Sequence, residues 1–241
     1  MRVHVALAPG ELPGEGLPPQ NVVVIDVFRA ATTMAAALSH GCEMVIPVLT
    51  PEEARERARR FSEGQVLLGG ERAGEPIPGF DLGNSPLEYT AERIAGKVVI
   101  LTTTNGTRAL LAAAAAGATA IAVGALVNVK AIAHWVEAQG RDLMLLCAGE
   151  GGSVSLEDTV CAGLIVDRLA TGGAPLDLSD AAGVSRCVAR DYRDRLGDLR
   201  TDSRWARHLT RAGREADLAA CLSLDVCPLV PLLRGGAVSA A

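Results

Sequence analysis

Val22-Val-Val-Ile-Asp-Val27, continued by Phe28-Arg-Ala-Ala-Thr-Thr33, is the stretch on which the fold turns. The run is short, β-branched and without apolar–polar alternation until Asp26. Such a run marks a strand covered on both faces. A helical stretch comes next, from about Ala30 to His40, and Gly41 supplies a C-terminal stop. Outward from this unit the same rhythm repeats. Strands are expected at Met1–Ala8, Met44–Val48, Val66–Gly69, Lys97–Leu101, Thr119–Gly124 and Asp142–Cys147. Helices are expected after Thr50, where Thr, Pro51, Glu52 and Glu53 form a start signal. Others are expected at Arg108–Ala116, Val129–Ala138 and Leu156–Leu169. Strand, crossover helix, strand is the pattern of an α/β protein with a mainly parallel sheet flanked by helices. From about Gly183 the chain turns mainly helical and Arg-rich. Asp225–Val230 reads as a short strand, and Gly235–Ala241 as a frayed tail. The reading is one α/β domain over residues 1–241, with a more helical C-terminal part from about 183.

Composition narrows the function. Hydrophobic residues are 49% and charged residues 21% of 241, a globular profile that can bury a sizeable core. The net charge of −5 and the absence of a basic run argue against general nucleic-acid binding. No apolar run approaches the ~18 residues of a membrane span. The opening residues are too short and too alternating for a signal peptide. The six cysteines, at 42, 147, 161, 187, 221 and 227, form no CxxC pair, so a zinc knuckle is not expected and a reducing cytoplasm is. A homodimer is permitted by this composition without being indicated.

Ligands of open α/β sheets gather outside the carboxyl ends of strands, and four such ends carry polar groups. Asp26 ends a wholly apolar strand, where a carboxylate must be paired, hydrogen-bonded or metal-bound. Arg29 is its nearest candidate partner, and Thr32 and Thr33 fall in the first turns of the next helix, where N–H groups face an anion. Gly69–Pro86 is a long loop displaying Glu71, Arg72, Asp81, Asn84 and Ser85, with Ile77, Phe80 and Leu82 to pack it. Asn84-Ser85-Pro86 can equally cap the helix after it. Thr103, Thr104, Asn105, Gly106 and Thr107 stand between a strand and an Ala-rich helix, suited to an oxyanion but lacking the Walker pattern. The last end, Cys147–Asp158, offers Glu157 and Asp158 as acid/base or metal groups. Ser155 with Asp158 also fits a capping-box variant, and Cys147 is a candidate nucleophile or a plain buried thiol. Asp26, Glu71, Asp81, Glu157 and Asp158 are hard ligands, which favour Mg²⁺ over Zn²⁺. Carboxylates with Mg²⁺ beside anion-cradling loops point to phosphoryl chemistry.

Val24-Ile-Asp-Val-Phe-Arg-Ala30, Gly70-Glu-Arg72, Ile77-Pro-Gly-Phe-Asp-Leu-Gly-Asn-Ser-Pro86, Thr103-Thr-Asn-Gly-Thr107, Ser155-Leu-Glu-Asp158 and Cys161-Ala-Gly163 run in order along the chain. Together they resemble the 2-phosphosulfolactate phosphatase (ComB) family, from about residue 3 to 231. The long-loop motif is the most specific part. The resemblance implies a layered ComB-like fold and a Mg²⁺-dependent acid phosphatase that converts 2-phospho-3-sulfolactate to sulfolactate and phosphate. In methanogens that step belongs to coenzyme M biosynthesis. By position it points to Asp26, Arg29, Glu71, Arg72, Asp81, Asn84, the Thr103–Thr107 turn, Glu157 and Asp158. Asp26 and Glu71 are the expected metal ligands. Arg29, Arg72 and the amides of the turn are expected to hold phosphate, sulfonate or carboxylate. Two positions depart from the family pattern: Ala31 stands where Thr is usual, and Trp205-Ala206 comes after Ser203-Arg204 where His-Gly is frequent. A phosphatase for another small phospho-acid, or a non-catalytic anion-binding protein, are the alternatives these departures leave open.

Overall fold

The computed structural model describes residues 1–12, 16–18, 20–173 and 175–241. Among the described residues, eleven strands form one sheet. In chain order the elements are β1 (Arg2–Ala6), β2 (Asn21–Ile25), α1 (Ala30–Ser39), β3 (Met44–Pro47), α2 (Pro51–Ala58), β4 (Val66–Arg72), β5 (Glu75–Pro76), α3 (Ala91–Ile94), β6 (Val98–Thr102), α4 (Gly106–Ala115) and β7 (Ala120–Gly124). Next come α5 (Val129–Gln139), β8 (Leu143–Cys147), α6 (Leu156–Thr171), β9 (Asp177–Leu178), α7 (Asp180–Tyr192), α8 (Leu199–Asp202), α9 (Arg204–Arg211), α10 (Glu215–Cys221), β10 (Pro231–Arg234) and β11 (Ala237–Ala240). No described helix is long and apolar enough to cross a membrane.

The β-branched run at the heart of the sequence is a central strand, as expected. Every residue of β2 is buried, and β2 pairs in parallel with β7 and β8. Val23 and Ile25 face one core with α5, α6 and α7; Val22 and Val24 face the other with α1 and α4. Each such side chain, fully buried, contributes about 1.5–3 kcal/mol. A smaller third core, with Val48, Ala54 and Ile100, lies beneath α2. The start signal of α2 works as read: the Thr50 hydroxyl accepts the Glu53 N–H at 3.1 Å.

Two expectations about the C-terminal stretch are corrected. Residues 225–230 form no strand, and 235–241 are not a tail. Instead β10 and β11 make a hairpin in mid-sheet. Gly235 and Gly236 take φ of 57° and 84°, the left-handed geometry of a two-residue hairpin turn. β10 runs antiparallel to β7, and β11 antiparallel to β3. The wholly buried Val238 sits opposite Val45. The run 237–240 is short and small-sided, so sequence pattern alone did not mark it as a strand. The expected strand at 66–69 also continues to Arg72 and turns through Ala73 and Gly74 into β5.

The hairpin divides the sheet into two parallel halves. Because it is antiparallel to both neighbours, β3, β6 and β4 run opposite in sense to β7, β2, β8 and β1. Five strand steps separate β6 from β2, and a native twist turns the sheet by roughly 100° over such a span. The carboxyl end of β6 is thereby carried round towards that of β2, and α4 packs across β2 and β7.

Candidate active site

Asp26 comes directly after β2. Its Oδ1 accepts the Ala30 N–H at 3.1 Å, at the start of α1. Gly106, the first residue of α4, lies against the same carboxyl: a Cβ there would stand 2.5 Å from Asp26 Oδ2 and 2.7 Å from Ala30 Cβ. A glycine in the Thr-Thr-Asn-Gly-Thr turn is therefore a packing requirement that joins the two half-sheets. Burial pushes the Asp26 carboxyl well above its ordinary range. Repulsion from Asp158, and then from Glu71 and Glu157, adds to this; the Ala30 N–H opposes it.

Arg29 does not pair with Asp26. The guanidinium is 3% exposed; Nη1 donates to Asp217 Oδ2 at 2.6 Å and Nη2 to the Gly74 carbonyl at 2.9 Å. Ser85 Oγ donates to the other Asp217 oxygen at 2.5 Å. Arg29 is thus held by α10 and the β4–β5 turn, and still reaches the cleft wall. The Phe28–Arg29 peptide is cis.

Glu71, at the end of β4, ties that turn to the β6–α4 connection. Its Oε1 accepts the Thr104 N–H at 2.6 Å; its Oε2 accepts the Gly74 N–H at 2.7 Å and the Thr104 hydroxyl at 3.1 Å. Thr103 and Thr107 close the α4 start on each other: Thr107 N–H donates to Thr103 Oγ1 at 3.1 Å, and Thr103 N–H to Thr107 Oγ1 at 3.0 Å. The amides of Asn105 and Gly106 find no acceptor among the described residues.

These groups meet in a cleft of about 220 Å³, lined by Asp26, Phe28, Arg29, Glu71, Ala73, Asn84, Thr104, Asn105, Glu150, Gly151 and Trp205. The buried Asn84 Oδ1 has no partner among the described residues. A hollow of about 280 Å³ at the other ends of β1 and β8 is larger, but its Arg2 and Asp142 are paired to each other at the surface. Buried, unequally satisfied charge concentrates in the cleft, which makes it the candidate site.

A family model described as 2-phosphosulpholactate phosphatase matches residues 6–236. The chain belongs to the 2-phosphosulfolactate phosphatase family. A protein of Symbiobacterium thermophilum named "Probable 2-phosphosulfolactate phosphatase" is 42% identical over 226 residues, covering 94% of this chain and 96% of that one. Proteins with the same name from Caldanaerobacter subterraneus subsp. tengcongensis and Clostridium acetobutylicum are 39% and 34% identical, over 91% and 99% of this chain and 90% and 100% of their own lengths. Every cleft residue lies within the stretch that matches the 2-phosphosulfolactate phosphatase model.

Not every residue singled out in the sequence reaches this phosphatase-family cleft. Arg72 points to the opposite face of β4 from Glu71, donating to the carbonyls of Glu71 and Leu49 and to Thr102 Oγ1. Asp81 is exposed and accepts the Leu68 N–H at 2.8 Å, pinning the long loop. The Thr32 hydroxyl donates to the Val27 carbonyl, and the Thr33 hydroxyl to the Asn84 carbonyl. Ser85 Oγ also accepts the Leu87 N–H at 3.3 Å, the capping role that the sequence allowed. Asp158 joins the ends of β2 and β8: Oδ1 accepts from Val27 N–H at 2.9 Å and Oδ2 from Gly149 N–H at 3.1 Å. The capping box expected of Ser155 with Asp158 does not form; Ser155 Oγ is buried and unpartnered among the described residues, because Asp158 is turned to these two amides. Burial pushes Asp158 up to about 6 and, with the Asp158 charge, Glu157 up to about 8. Glu157 Oε2 has no described partner. Cys147 is wholly buried, and burial pushes its thiol up, the opposite of an activated nucleophile.

Three residues escape a reading of the sequence. Asp217 orients Arg29 from 188 positions away, a pairing that no local spacing reveals. Glu150 stands unremarked among loop glycines. Trp205 is marked in the sequence only as a departure from the family pattern; its place in the cleft wall comes from the docking of α9.

Proposed function

We propose that this chain is a Mg²⁺-dependent phosphatase that hydrolyses 2-phospho-3-sulfolactate to 3-sulfolactate and phosphate. The observation that carries the reading is one small cleft in which a buried carboxyl, a buried guanidinium and the start of α4 converge, in a chain matched to this family over residues 6–236. Arg29 has five N–H donors, and those not held by Asp217 and Gly74 remain for an anion. The Asn105 and Gly106 amides and the helix dipole of α4 favour negative charge at the same place. These fixed donors neutralise phosphoryl oxygens as the ester bond breaks. Glu71 positions the Thr104 amide and the β4–β5 turn, and so the rim of the site.

The donor set fits Mg²⁺ in its economical mode. Among the described residues no three His, Cys, Asp or Glu side chains group as a closed metal cage. Mg²⁺ uses one or two carboxylates together with substrate phosphate and water, and Asp26 offers an Oδ2 that no N–H occupies. Glu71 has three of its roughly four lone-pair directions filled, so Asp26 would hold the ion first and Glu71 second. Bound there, Mg²⁺ would neutralise phosphoryl charge and relieve the repulsion among Asp26, Asp158, Glu71 and Glu157. Six free cysteines suit a reducing, cytoplasmic setting.

The test is phosphate release from racemic 2-phospho-3-sulfolactate with and without Mg²⁺, with phospholactate as control. Mg²⁺-dependent release favouring the sulfonate supports the reading. Asp26→Asn is expected to lower kcat/KM by about 100-fold or more, and intact Mg²⁺-dependent turnover in that variant would sink it. Preference for phospholactate would select another phospho-acid as substrate. Binding without turnover would select an anion-binding role.

A further inference from the structure

We propose that Trp205 sets the substrate size limit of this cleft, admitting a small 2-phospho acid and excluding one with a bulky side chain. The inference rests on the phosphatase reading above and names the residue that selects within it. The polar groups of the cleft recognise anions and say nothing about size. Its larger apolar lining residues are Phe28 and Trp205, and Trp205 is the biggest of all. The volume of about 220 Å³ lies below the ~300 Å³ at which drug-sized ligands begin to fit, so a wall residue here decides what enters.

Trp205 is built as a fixed wall. It is the second residue of α9, whose first turn is capped by the buried Ser203: Oγ accepts the Ala206 N–H at 3.1 Å. Ala206 and Leu209, on the inner face of the same helix, are wholly buried and anchor it. The His208 ring stacks on the indole, centroids 4.5 Å apart and planes inclined by 16°. Across from the pair is Gly74, at the turn whose carbonyl holds Arg29; a Cβ there would come within 3.4 Å of His208 Nε2 and 3.6 Å of the indole. An exposed ion pair, Arg204 with Glu150 Oε1 at 3.7 Å, spans from the start of α9 to the loop on the other side of the cleft. The indole therefore carries the His208 ring on one face, with the Gly74 turn close by, on a helix start that the buried Ala206 and Leu209 anchor. A rigid wall excludes by overlap, and one methylene too many in such a site changes discrimination by about 10-fold or more.

The experiment compares kcat/KM for 2-phospholactate and 2-phospho-3-phenyllactate in the full-length wild type, Trp205→Ala and Trp205→Phe. The ratio of phenyl to methyl substrate is expected to rise at least about 10-fold in Trp205→Ala and by less in Trp205→Phe. Thermal melts show that each variant is folded; should the Ala variant not fold, Trp205→Phe and Trp205→Leu carry the comparison. A change of size preference separates this role from a purely structural one, which would lower both substrates together. If the wild type turns over neither ester, the phosphatase reading stands or falls on 2-phospho-3-sulfolactate, as above. The size limit is then read by calorimetric binding of lactate and 3-phenyllactate in the presence of inorganic phosphate, with the same shift of ratio expected. An unchanged ratio in the folded variants, by turnover or by binding, overturns the inference.

Discussion

Glu157 and Asp26 are carboxyls that the fold has withdrawn from water, with no Lys or Arg paired to them among the described residues. Glu157 illustrates the consequence most simply, since burial and the neighbouring Asp158 push it from 4.5 up to about 8. The folded state keeps a proton there that the unfolded chain loses above pH 4.5. Stability from this group is therefore complete below about pH 4.5 and is lost as pH rises through about 8. Glu157→Gln, without Mg²⁺, should match the wild type in melting temperature near pH 4.5. It should exceed it at pH 8 by up to roughly 10 °C, since a shift from 4.5 to about 8 corresponds to at most about 4 kcal/mol. A constant difference across that range would show that Glu157 is not protonated in the fold. At this scale the sequence was informative about Asp26, because a carboxylate closing an apolar strand can scarcely be idle. It pointed to Arg29 but to the wrong partner, since Asp217 arrives from α10, and it was misleading about Arg72 and Asp81, whose side chains leave the cleft for backbone carbonyls and amides. Motif membership fixes neighbours in sequence; strand alternation decides which of two adjacent residues faces the ligand.

Among the elements, α4 and α10 do most to assemble the site. The start of α4 touches Asp26 only because its first residue is glycine. Gly106→Ala should cost about 1–3 kcal/mol by overpacking and should lose most activity through displacement of Asp26, read by urea unfolding beside turnover. Asp217 on α10 neutralises Arg29 inside the protein. Asp217→Ala leaves that guanidinium buried and unpaired, with an expected loss of about 3–5 kcal/mol in unfolding free energy. Asp217→Asn, which keeps an acceptor oxygen, should lose less; equal losses would argue that the charge is immaterial. The longer helices and the parallel strands up to residue 171 were legible because each carries a long period, a cap or a β-branched run; the four-residue α3 was not. The last two strands were not, because Pro231-Leu-Leu-Arg234 and Ala237-Val-Ser-Ala240 are four residues each and gain their identity from the strands beside them.

For the whole molecule, the β10–β11 hairpin is the seam between two parallel half-sheets of opposite sense. Val238→Asp places a charge at its wholly buried centre, and a loss above about 4 kcal/mol, with broadened or multi-step unfolding, is expected in denaturant titration. Sharp single-step unfolding at the wild-type midpoint would show that the halves cohere without the seam. The same seam has a consequence in time. Leu232 pairs with Ala122 and Val238 with Val45, partners more than a hundred residues back along the chain. Until that late segment arrives, β7 and β3 each present a bare ladder of amides and carbonyls, the condition in which sheet edges find the wrong partner. Contacts so distant in sequence also make for slow closure. Refolding should accordingly be limited by hairpin insertion and be most vulnerable to aggregation just before it.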